Sequence, residues 1–109
     1  MESTSLPELA EDLLERAREA HSGRAAHTVH GGAGHALRQT LLALLHGQQL
    51  SEHESPGEAT LQVLEGRVRL SSTSASVDAT AGDLVPIPPE RHALAALEDA
   101  VVLLSVVSQ

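Results

Sequence analysis

The chain has 109 residues, 41% hydrophobic and 20% charged, which suits one soluble domain with a single core. It has no Phe, Tyr, Trp, Cys or Lys, which excludes base-stacking platforms, aromatic cages, disulfides, thiolate catalysis and Schiff-base lysines. A net charge of −8 repels nucleic acid and anionic membranes, and protonating the seven histidines in mild acid nearly cancels it.

Residues 1–23 read as a helical segment. Ser5 caps it, Glu8 completes a capping box, and Pro7 is tolerated in the first turn. Leu6, Leu9, Ala10, Leu13, Leu14, Ala17 and Ala20 form one apolar stripe. The opposite face is acidic, with Asp12 and Arg16 spaced for an ion pair, so a membrane-surface role is not expected. Gly23 supplies the stop. The stripe needs an apolar surface to cover, on this chain or on a partner. With no basic leader and no apolar run of about 20 residues, the expected location is cytoplasmic.

Residues 24–109 read as mainly β. Short apolar or alternating runs cover 25–30, 37–45, 59–64, 67–71, 84–87 and 100–107, separated by Gly- and Pro-rich turns. Around Glu65-Gly66 a hairpin is expected, with Leu61, Val63, Val68 and Leu70 on one face and Arg67 and Arg69 on the other. Residues 41–45 and 101–104 are apolar at both parities, so both of their faces require cover. A helix, a packed sheet or a second subunit can supply it, and a homodimer is the expected solution. The Ser/Thr stretch 71–76 reads as a loose connection, and Gly31-Gly32-Ala33-Gly34 as a turn.

Two spacings carry the chemistry. Gly47 is followed by five residues, His53 and, at the far end, Gly66; later, Gly82-Asp83 precede Pro88 and His92. This pattern resembles the two motifs of the cupin superfamily, the RmlC-like jelly-roll β-barrels (double-stranded β-helices). The resemblance implies a cupin barrel over 24–109 preceded by one amphipathic helix. That whole-chain form is similar to small actinobacterial-type cupins of unassigned function.

Family metal sites use two first-motif histidines, a glutamate and a second-motif histidine. Here Ser55 stands at the second histidine position and Ala59 or Thr60 at the glutamate position. Glu90 replaces the second-motif glycine, and no Asn follows His92 at the family's spacing. The metal candidates are therefore His53 and His92, for one divalent Fe, Mn, Ni or Zn ion, with Glu58 or His35 as a third ligand. Strand parity turns Glu58 away from His53 unless the Ser55-Pro56-Gly57 kink re-aims it.

Two functions follow as expectations. The first is a non-catalytic cupin that binds or senses a small apolar or carboxylate-bearing molecule over a degenerate metal site, with polar contacts from His53, Ser55 and His92. The alternative is a metal-dependent oxygenase or isomerase using His53, His92 and a third ligand. A structural module presenting the helix to a partner is a third reading. Ser55 lacks the orienting acid and oxyanion hole of a serine nucleophile. His21, His27, His30 and His46 read as surface or strand-end residues, His27 and His30 having opposite parity. Arg67 and Arg69 are expected to answer nearby acids or an anion, and Arg38 to need a buried partner.

Overall fold

The amphipathic segment forms α1 (Leu6–Glu19) in the computed structural model, which describes residues 1–53 and 57–107, with backbone alone at 52 and 53. Ser5 Oγ accepts the Glu8 N–H at 3.4 Å, and Asp12 pairs with Arg16 at 2.9 Å. The helix ends before the expected glycine. Ala20 turns extended and returns its N–H to the Arg16 and Ala17 carbonyls, which leaves Gly23 in the turn beyond at φ +65°.

Among the described residues nine strands follow, in two sheets whose neighbours all run antiparallel. The first sheet has the order β1 (Arg24–His30), β2 (Leu37–Leu44), β9 (Ala100–Val107), β4 (Glu58–Glu65), β7 (Leu84–Pro86). The second has the order β3 (Gln49–His53), β8 (His92–Ala96), β5 (Arg67–Ser72), β6 (Ser76–Thr80). Between them lies a core that includes Leu44, Leu61, Val63, Val68, Leu70, Leu94 and Val102. Its apolar side chains are all aliphatic, as the composition requires.

The strands apolar at both parities are covered on both faces by this one chain. Leu44 and Val102 point into the core, whereas Leu41, Ala43, Val101 and Leu103 pack against Ala10, Leu13, Leu14 and Ala17 of α1. The helix is thus the second layer, and the cover that suggested a dimer is intramolecular.

Three other expectations change. Residues 61–70 keep their predicted faces, but β4 and β5 do not pair as a hairpin. Each joins a different sheet, so Glu65-Gly66 is a corner between layers. The 71–76 stretch is a tight turn, closed by the Ser72 N–H to the Ala75 carbonyl at 2.7 Å. Arg38 is exposed in β2 and does not require a buried acid.

Strands β3, β6 and β8 were not predicted. Gln49–His53 and Ser76–Thr80 are polar and short, and His92–Ala96 is mostly alanine, so cross-strand partners rather than propensity hold them.

Candidate functional site

The site is built on a row across the second sheet. His53 of β3 stands opposite His92 of β8, and His92 stands opposite Ser72 of β5. Antiparallel partners of this kind have Cα atoms about 4.5–5.5 Å apart. The two histidines named by the motif spacing are thus immediate backbone neighbours, although 39 positions separate them in sequence. Ser55 lies outside the described residues.

His92 is the one polar side chain buried among the described residues, at 4% exposure. Its Nδ1 lies 3.0 Å from the Glu90 carbonyl oxygen, which accepts only, so Nδ1 carries the proton. With Nδ1 as donor, an imidazole that carries a single proton has its lone pair on Nε2, the tautomer used to accept a hydrogen bond or bind a metal.

Beside this row opens a cleft of about 150 Å³, lined by Leu70, Ser72, Val77, Val85, Pro86 and Pro88 among others. Ser72 belongs to both the row and the cleft. Its hydroxyl also organises the turn, accepting the Ala75 N–H at 3.3 Å.

Glu90 clasps this turn. Hydrogen bonds from the Ser72 and Ser74 hydroxyls hold its carboxyl below the usual glutamate value, the Ser74 Oγ donating to Oε1 at 2.7 Å. A lowered value means that the clasp is complete above the ordinary glutamate range and is lost as pH falls through the folded value. In an NMR titration the Ser74 signals should move in one step centred below 4.5, the ordinary value for the group. The Glu90→Gln variant should show no such step. A native midpoint at or above 4.5 would contradict the clasp.

The remaining candidates lie elsewhere. Glu58 is exposed while its neighbour Ala59 packs inside, so strand alternation sends the carboxylate outward. His35 is exposed in the β1–β2 loop with its ring against that of His30. Arg69 makes a two-point bond to Asp78 on β6, at 2.7 and 3.1 Å, and Arg67 lies 3.8 Å from Glu98. Both arginines thus answer acids. The Arg69 hydrogen bond lowers the Asp78 carboxyl below its usual value, but an exposed pair of this kind adds little stability.

No protein-family model matches the chain, and neither does any curated protein. Solved structures do. A conserved protein of unknown function from Streptococcus pyogenes is 26% identical, with 83% of this chain and 78% of that one covered and a TM-score of 0.73. An RmlC-like cupin protein from Desulfovibrio desulfuricans is 25% identical over 77% of this chain and 81% of its own, with a TM-score of 0.66. The chain folds as a small RmlC-like cupin. A protein of unknown function from Rhizobium leguminosarum, 20% identical, covers 100% of this chain and 98% of its own at a TM-score of 0.72, so the match extends over the helix as well as the sheets.

Among the described residues no three His, Cys, Asp or Glu come together. Neither Glu58 nor His35 joins His92, and a catalytic zinc ordinarily has three protein ligands. Sequence reasoning missed Ser72 and the cleft because both depend on β8 and β6, the strands with the weakest local signal. The departure of Glu90 from the family glycine was visible, but its link to the 72–75 turn was not.

Proposed function

We propose that this cupin binds or senses a small molecule and is non-catalytic, with a degenerate metal site at His53 and His92. The supporting observation is the apolar cleft joined through Ser72 to the His92 row. A cavity near 150 Å³ holds a molecule about the size of benzene. Its walls are aliphatic, and the charge beside Ser72 is the Glu90 carboxylate. A neutral, mainly apolar ligand with one hydrogen-bonding group therefore fits better than a carboxylate. Ser72 and His92 supply the polar contacts, and His53 and Ser55 are the further ligand contacts this reading proposes.

The same reading makes the protein a cytoplasmic homodimer. Among the described residues no helix is long and apolar enough to cross a membrane. Leu37, Leu84 and Val107 are exposed on the sheet that α1 covers elsewhere, which supports self-association there.

The alternative, a metal-dependent oxygenase or isomerase with His53, His92 and a third ligand, draws support from the His92 tautomer. One experiment addresses both readings. Cyclohexanol titrated into the protein should shift the Leu70, Val77 and Val85 methyl signals saturably, and a Leu70→Phe variant that fills the cleft should lose the response. No methyl shift at millimolar probe would refute the binding reading. Stoichiometric metal in untagged protein, lost in the His53→Ala, His92→Ala double variant, would establish the alternative instead.

A further inference from the structure

A second pair of imidazoles lies away from the His92 row. β1 and β2 pair regularly from Arg24 to Thr28, but the register then slips, so that His30 stands opposite Gln39 rather than Arg38. This bulge moves His30 to the parity of His27, which stands opposite Leu41, and overturns the expectation that the two point to opposite faces. The loop beyond is then folded by glycine. Gly31, Gly32 and Gly34 have φ of +134°, +123° and +84°, and the His35 N–H donates to the Gly32 carbonyl at 3.1 Å. The result brings the His35 ring onto the His30 ring, with centroids 5.1 Å apart and planes at 78°. Both residues are exposed.

We propose that His30 and His35 jointly bind a borderline divalent transition metal such as Zn²⁺, Ni²⁺ or Cu²⁺. Two imidazoles on one tetrahedral metal, each bonded at about 2.0–2.1 Å, have ring centroids about 5 Å apart. The loop therefore already holds the rings at a chelating separation, and little chain ordering is left to oppose binding. Segment 26–38 itself contains no carboxylate, so the side-chain donors it offers are imidazoles, which favour these metals over Mg²⁺ or Ca²⁺. The charged residue beside the loop is Arg38, whose Cγ would lie 3.0 Å from a side chain placed at Gly31. A cation so close keeps the site weaker than a buried centre.

The pair is independent of the His53–His92 reading, and the test separates them. Metal-stripped protein is titrated with Zn²⁺ by calorimetry, and sub-stoichiometric Cu²⁺ is added while the imidazole NMR signals are followed. His30 and His35 should broaden first, and His30→Asn or His35→Asn should each weaken Zn²⁺ binding at least about ten-fold. His21→Asn, at an exposed histidine outside both pairs, should leave this binding unchanged. Broadening centred on other histidines, or single variants that bind Zn²⁺ as well as the native protein, would overturn the proposal.

Discussion

Replacing Leu13 with aspartate is expected to abolish the native fold or to lower its stability by more than about 4 kcal/mol. Leu13 is fully buried in the cluster that joins α1 to Leu41, Ala43, Val101 and Leu103. Truncation to alanine at such a site costs about 2–5 kcal/mol, and a carboxylate adds the penalty of burying an unpaired charge. The central strands β2 and β9 would then present an uncovered apolar face, so self-association should accompany the loss. Urea unfolding followed by circular dichroism, with light scattering on the same samples, reads both effects. A Leu13→Asp protein with the native midpoint would show that the helix does not seal the sheet. Leu13→Ala, expected to remain folded, gives the graded control.

Gly66→Ala carries the second large effect. Gly66 turns the chain from one sheet to the other at φ +76°, a conformation that costs an L-residue about 1–2 kcal/mol. An added Cβ would also press on the Asp99 carbonyl and lie 2.9 Å from the Ala100 Cα. Neither group is free to retreat. The Asp99 carboxylate accepts the His46 N–H at 2.8 Å, and Ala100 is fully buried. The combined cost should reach about 3 kcal/mol or more. Gly82→Ala is the matched control, since Gly82 has φ +95° but open space where the Cβ would sit. The close approach predicts a clearly lower urea midpoint for Gly66→Ala than for Gly82→Ala. Equal losses would leave only the backbone preference.

Much of the architecture was legible in the residues. The stripe of α1, its Ser5 cap and the alternation of 61–63 and 68–70 depend on local periodicity, and all appear as read. The double-sided apolar runs at 41–45 and 101–104 correctly demanded two layers, but periodicity cannot say which surface supplies the second. The short strands β3, β6 and β8 gave no comparable signal. Their stability comes from partners 20 or more residues away in two of the three pairings they make.

The site divides in the same way. Motif spacing named His53 and His92, and the register of β3 against β8 places them side by side. The candidate third ligands, Glu58 and His35, had no motif position, and the fold sends them to the outer face and to His30. Alternation disposed of the first. The second needed, besides the glycine turn read at 31–34, a bulge that no residue pattern announced.

Length, the absence of aromatic and lysine side chains and the −8 charge determined a small acidic domain with an aliphatic core and no stacking or amine chemistry. Those properties belong to residue types and survive any arrangement. Tertiary structure alone decided that α1 covers the outer face, that Glu65-Gly66 is a corner, and that Ser72 and Glu90 stand beside His92. Each of these depends on register and layer packing between distant segments, which composition and local periodicity do not encode.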